Sequence, residues 1–180
     1  MSGRRLPDMD PDGIVGDAVE HVLHYFDGSS RRIFVTDIET PFPEGELIVS
    51  RTDVEGVITD VNPAFVHMSG YSANELLGAP HHILRHPDMP APAFADLWST
   101  VLNGEKWRGY VKNLRADGGY YWVFATAIPN FRNGKLVGIT SVRRKPSRTR
   151  VNECIALYAS MQSGMPVPAP ATAATTGAIA

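Results

Sequence analysis

Between Leu47 and Arg143 the apolar residues fall into short blocks separated by turn residues. Leu47-Ile48-Val49, the turn Asp53-Val54-Glu55-Gly56 and Val57-Ile58-Thr59-Asp60-Val61 read as a β-hairpin. Asn62-Pro63 then offers a cap followed by proline at the first helical position, and Phe65-Val66-His67-Met68 fills a short helix that Gly70 closes. Ser72-Ala73-Asn74-Glu75 has the form of a capping box before Leu76 and Leu77. Pro80, Pro87, Pro90 and Pro92 forbid a regular helix through His81–Met89, so a structured loop should feed the helix Ala93–Leu102. Trp107–Leu114, Tyr120–Ile128 and Leu136–Arg143 follow as strands, divided by Ala116-Asp117-Gly118-Gly119 and Arg132-Asn133-Gly134. Two strands, several short helices and a three-stranded meander predict an α+β fold, with one five-stranded antiparallel sheet carrying the helices on one face.

The flanks read differently. Ile14, Val15, Ala18, Val19, Val22, Leu23 and Phe26 recur at helical spacing, which predicts an amphipathic helix over 13–27 ended by Asp27-Gly28-Ser29-Ser30. Arg32–Ile38 predicts a short strand before Pro41 and Pro43. Val151–Met161 predicts a final helix, and the Pro/Ala/Thr composition after Gly164 predicts a disordered tail. The expected organisation is an N-terminal extension (1–43), a sensor domain (44–146), a C-terminal helix (147–163) and a Pro/Ala tail (164–180).

Composition narrows the function classes. The 180 residues are 43% hydrophobic, enough for one core, and 17 basic against 19 acidic residues leave a net charge of −2. That balance gives no electrostatic footprint for nucleic acid or an anionic membrane surface. Cys154 is the sole cysteine, so neither an internal disulfide nor a thiolate metal cluster can form. No apolar run approaches the ~20 residues of a membrane span, and the N-terminus lacks a signal-peptide core, so a cytoplasmic location is expected. Nothing resembles a Ser/His/Asp ordering, a phosphate-cradling glycine loop or a metal-ligand pair, and no enzyme is expected.

Gly56-Val57-Ile58-Thr59-Asp60-Val61-Asn62-Pro63-Ala64-Phe65, Ser69-Gly70-Tyr71-Ser72 and Glu75-Leu76-Leu77-Gly78 resemble the opening half of PAS domains. Pro80-His81, Arg85-His86-Pro87-Asp88-Met89-Pro90, Ala93-Phe94-Ala95-Asp96-Leu97-Trp98, Gly104-Glu105-Lys106-Trp107-Arg108-Gly109 and Val111-Lys112-Asn113 resemble a narrower group, the FAD-binding PAS sensor domains of bacterial aerotaxis (Aer-like) receptors. The resemblance runs over Glu46–Lys145. It implies the PAS fold, FAD as cofactor and a redox or oxygen-sensing role. Aer-like receptors continue into membrane-spanning and signalling segments that this chain lacks. The signal is therefore expected to pass in trans to a chemoreceptor or histidine kinase, unless the chain is a fragment. The 13–27 helix would give a second copy a dimer contact.

A flavin needs an apolar or aromatic slot, donors for its pyrimidine carbonyls and positive or amide groups for its pyrophosphate. Arg85 and His86 in the proline-rigid loop supply donors, with a salt bridge from Arg85 to Asp88 or Asp96 as the structural reading. Either Arg85 or a protonated His86 would favour a reduced, anionic form. The resemblance places a wall of the site at Trp98, while Trp107 and Trp122 either flank the same face or fill core. Asn113 would face inward if Lys112 is its exposed neighbour, and Asn62 is already explained as a cap. His81, His82 and His86 leave a haem-binding gas sensor open as an alternative, and a cofactor-free association module is the third reading. His81 and Asp88 complete the candidate ligand contacts. Cys154 lies outside the matching region, which argues against cysteinyl-flavin photochemistry.

Overall fold

A computed structural model of the chain describes residues 4–163. In chain order the elements are β1 (Val19–His24), β2 (Ser30–Val35), β3 (Ile48–Thr52), β4 (Ile58–Val61), α1 (Pro63–Ser69), α2 (Ala73–Leu76), α3 (Ala91–Leu102), β5 (Trp107–Leu114), β6 (Tyr120–Arg132), β7 (Lys135–Arg144) and α4 (Arg148–Ser163). The last five strands form one antiparallel sheet in the order β4-β3-β7-β6-β5. The crossover is between β3 and β7, paired from Ile48↔Arg143 to Thr52↔Ile139. Tyr121, Val123, Ala125 and Ala127 alternate along β6 toward one face, where they join Phe65, Met68, Leu76, Ile83, Leu84 and Val101 in the core. Period-two alternation thus selects the face that α1, α2 and α3 cover.

The short helices owe their positions to caps. Asn62 Oδ1 accepts from the N–H of Phe65 (3.1 Å) and from the N–H of Val49 (3.0 Å), and its Nδ2 donates to the carbonyl of Leu47 (2.8 Å). One side chain therefore starts α1 and pins it to the strand beside it. Ser72 and Glu75 close a capping box on α2. Asn62→Ala should lower stability by about 1–2 kcal/mol, read from urea denaturation.

The amino-terminal helix expected over 13–27 is not present. A 3₁₀ turn at Pro11–Gly13 is followed by β1, and the chain reverses at Asp27-Gly28 to pair β1 with β2 from Val19↔Val35 to His24↔Ser30. Gly16 takes φ +93° inside the expected helix, which ends helical propagation there. Burial along the segment has period two: Leu23 is half-buried and Tyr25 buried, whereas Val22, His24 and Phe26 are exposed. The apolar residues that imitated a helical stripe are largely outside the core, with Val15, Val19 and Val22 all exposed. What holds the hairpin is β2, whose Ile33 packs with Met9 and Leu114 in a second small core. The short strand expected at Arg32–Ile38 lies at Ser30–Val35. Arg31 ties this hairpin to the domain, donating to the carbonyls of Pro7 (2.8 Å) and Ile83 (3.0 Å) and to Tyr71 Oη (3.2 Å).

At the other end α4 crosses the outer face of the sheet. Trp122 points to that side and stacks on Tyr158 at 6.3 Å, and Tyr158 Oη donates to the carbonyl of Tyr110 in β5 (2.7 Å). The disordered tail expected over 164–180 lies outside the described residues.

Candidate functional site

The inner faces of β5, β6 and β7 do not meet the helices everywhere. Ala125, Ala127 and Ser141 are small where their neighbours along the strands are large, and the room they leave opens into a cavity of about 700 Å³. Its walls are mainly apolar, including Leu84, Leu97, Trp98, Val111 and Ile139. Gly56 closes one rim with φ +82°, a conformation that favours glycine, and the ring of Trp98 lies 3.2 Å from where a Cβ would stand, so a side chain there would be strained and would press on the indole.

Two polar side chains are aimed into this cavity with donors unused. Asn113 is 4% exposed and its Nδ2 has no hydrogen-bond partner. Arg143 is 3% exposed; its Nη2 donates to Ser50 Oγ (3.1 Å) and to His81 Nε2 (2.6 Å), its Cζ lies 5.0 Å above the Phe65 ring, and its Nη1 has no partner. Among the described residues no carboxylate pairs with Arg143. Burial lowers its pKa to about 10, and burial followed by the Arg143 charge lowers that of His81 to about 3. His81 is therefore neutral and accepts from the guanidinium. Such donors are costly to leave unmatched, and their concentration in one cavity wall makes it the candidate site.

Of the residues expected from sequence, Arg85, Trp98, Trp107, Asn113 and His81 line the cavity. Arg85 forms an isolated bridge to Asn113 through the backbone, and its guanidinium lies 5.1 Å over Phe94. Neither acid proposed for it is engaged there: Asp88 takes Lys112 Nζ (2.7 Å), and Asp96 accepts from Trp107 Nε1 (2.8 Å). The indole of Trp107 folds back over Gly109, where a Cβ would sit 2.3 Å away.

The other four stand elsewhere. His86 is 1% exposed behind the cavity wall, its Nδ1 accepting from the N–H of Asp88 (3.1 Å) and its ring edge-on to Tyr120. Burial, reinforced by Lys112, holds its pKa far down, so it is neutral and does not carry the charge expected of it. Asp88 is exposed beside it, Asn62 caps α1, and Trp122 faces α4. Lys112 lies on the face opposite Asn113, but it pairs with Asp88 and covers the Tyr120 ring (3.9 Å) instead of reaching solvent.

Arg143 and Ser141 were not singled out from sequence, nor was the contribution of the chain's beginning. Arg4, Arg5, Tyr25, Phe26 and His82 border the cavity mouth, with Tyr25 and His82 stacked at 4.0 Å. A signal for Arg143 exists in Ile139, Ser141 and Arg143, one alternating face of a strand, but alternation alone does not say which face is inside.

Residues 58–143 match the PAS fold family. The central part of this chain is a PAS domain. Over 131 residues it is 43% identical to the aerotaxis receptor of Escherichia coli K12, an alignment covering 73% of this chain and 26% of the receptor. It is 34% identical over 91 residues to a nitrogen fixation regulatory protein of Klebsiella pneumoniae, 51% of this chain and 18% of the relative. The chain thus spans about a quarter or less of these relatives. Among solved structures, the PAS domain of a Colwellia psychrerythraea protein superposes with TM-score 0.52 at 27% identity, covering 57% of this chain and 87% of that one. The dark-state blue-light photoreceptor Aureochrome1 LOV superposes at 0.54 with 21% identity, covering 64% and 84%, a likeness of fold alone. Residues 58–143 are accordingly a PAS domain related to the aerotaxis receptor, and no helix of the described residues is long and apolar enough to cross a membrane.

Proposed function

We propose that this PAS domain binds a flavin, FAD, in the central cavity and reports its redox state to a separate cytoplasmic signalling protein such as a chemoreceptor or kinase. The observation that carries the reading is the buried guanidinium of Arg143, whose Nη1 has no protein acceptor, beside the buried amide of Asn113, whose Nδ2 has only the Tyr121 hydroxyl as a polar neighbour, in an otherwise apolar cavity. The pyrimidine edge of a flavin presents carbonyl oxygens and ring nitrogens that such donors match, and the volume lies within the roughly 300–1,000 Å³ of cofactor sites. At the mouth Arg5 and Arg85, with the aromatic rings of Tyr25 and Phe26, suit the phosphates and adenine of a dinucleotide. Haem is less well served. His81 Nε2 is bonded by Arg143, His82 is stacked on Tyr25, and His86 lies outside the cavity lining.

A bound flavin supplies reversible electron transfer with a change of charge at its ring edge. Arg143 would place a fixed positive charge beside that edge and favour the form with more negative charge. Asn113 would feel the altered edge through its amide, and it sits three residues from Tyr110, whose carbonyl holds Tyr158 of α4. Output then runs from β5 to α4, which is exposed along much of its length.

The visible spectrum of freshly purified protein, with released cofactor identified by chromatography, tests the assignment. FAD is the expected product, and Asn113→Leu should weaken its binding about tenfold. A protein that is colourless and takes up no flavin on incubation, or that shows a Soret band, overturns it.

A further inference from the structure

We infer that the outer edge of β1 is a dimerisation edge: two copies pair antiparallel through Glu20–His24 about a twofold axis at Val22. This rests on the hairpin alone and is independent of the cofactor.

Among the described residues β1 pairs with β2 only, in a sheet of two strands. Val22 stands opposite Arg32, and Arg32 uses its backbone on the far side: its carbonyl accepts from the N–H of Met9 (3.0 Å) and its N–H donates to Asp8 Oδ1 (2.8 Å). Val22↔Arg32 is therefore a pair without mutual hydrogen bonds, and in an antiparallel ladder the N–H and C=O of Val22 must also point outward, with those of Glu20 and His24. The bonded positions alternate with these, as the N–H of Tyr25 donating to Ser29 shows (2.9 Å). None of the three outward backbone pairs has a hydrogen-bond partner among the described residues.

Natural edges are usually blunted by proline, lysine or a bulge. Val-Glu-His-Val-Leu-His has none of these, its register with β2 is unbroken, and Val22 is 54% exposed. Charge then selects both the occupant and the register. Glu20 and His24 lie two residues either side of Val22 on one face, so a second copy centred on Val22 sets each Glu20 opposite a partner-copy His24. An imidazole donates to a carboxylate in either protonation state. Shifting the axis toward Glu20 places the carboxylate opposite valine or opposite its own copy, and shifting it toward His24 places it opposite Phe26 or Gly28, so Glu20 meets His24 in one register only. That register closes about six backbone hydrogen bonds. A C2 contact of this kind leaves no further edge free at β1.

Disulfide trapping tests the register in the full chain carrying Cys154→Ser. Directly paired residues at the axis have Cα atoms about 5.5 Å apart, within the disulfide range, whereas two copies of position 24 would be about 14 Å apart. Under mild oxidation Val22→Cys should form covalent dimer at least about tenfold more than His24→Cys does. Val22→Pro removes an outward N–H while leaving the bonds of β1 to β2, so it should shift sedimentation velocity toward monomer while the circular dichroism spectrum stays that of the folded domain. Equal trapping at 22 and 24, no trapping at 22, or a Val22→Pro protein that stays dimeric would overturn the inference.

Discussion

Arg143→Met is expected to leave the domain folded and to weaken the flavin binding proposed for its cavity. The guanidinium is buried without a carboxylate, and burial has lowered its pKa from 12.5 to about 10. A folded-state pKa depressed for a base means that the charged form destabilises the fold, here by about 3 kcal/mol, at every pH below the folded pKa. Removing the charge relieves that penalty. It also leaves Ser50 Oγ and His81 Nε2 without their donor, about 1–3 kcal/mol in the other direction. The two nearly cancel, so the thermal midpoint of the apoprotein should move by only a few degrees. Flavin affinity has no such compensation: a charge-assisted hydrogen bond contributes about 1.5–3 kcal/mol, or roughly 10- to 100-fold in binding. Titrating apoprotein with FAD by fluorescence, beside calorimetric melting, separates the two effects. Normal FAD binding by a folded Arg143→Met protein would show that this donor is not used by the ligand.

Acid should weaken the apoprotein at a pH where carboxylates are still ionised. His81 is held neutral with a folded pKa of about 3 against 6.5 for an unperturbed histidine. Between those values the unfolded chain binds a proton that the native site refuses, so stability is fully present above pH 6.5 and falls as pH drops through this window. At pH 5 the loss from His81 alone is about 2 kcal/mol, a large share of an ordinary domain's stability. His86 acts in the same direction, because burial lowers its pKa too. Urea midpoints at pH 7.5, 6 and 5 give the slope directly. His81→Gln, which keeps an acceptor for Arg143 but binds no proton, should roughly halve it, leaving the share of His86. A midpoint that stays constant down to the carboxylate range contradicts the neutral histidines.

The sheet and its short helices were legible because local chemistry and fold agree there. Period-two alternation in Trp107–Leu114 and Tyr120–Ile128, glycine-containing turns, and caps at Asn62 and Ser72 each admit one reading, and the α+β PAS fold follows. Part of the site was legible for a related reason. Arg85, Trp98, Asn113, Trp107 and His81 lie on elements whose order already forces them around one concave face.

The remainder depended on which surfaces meet. Ile14–Phe26 satisfies helical spacing on paper, yet a strand forms because β2 offers a ladder to pair with and an anchor in Ile33, Met9 and Leu114, contacts no local pattern announces. Arg143 enters the cavity because β7 pairs with β3 in the register Ile48↔Arg143, and a slip of one residue would have sent it to the other face. His86 and Trp122 were assigned by residue type, but burial neutralises the first and α4 covers the second. Alternation, turns and caps are properties of neighbouring residues, and the sequence by itself determined the elements they specify. Only the tertiary structure decided which faces lie inside and which charges survive, because burial and long-range pairing arise from residues far apart in the chain.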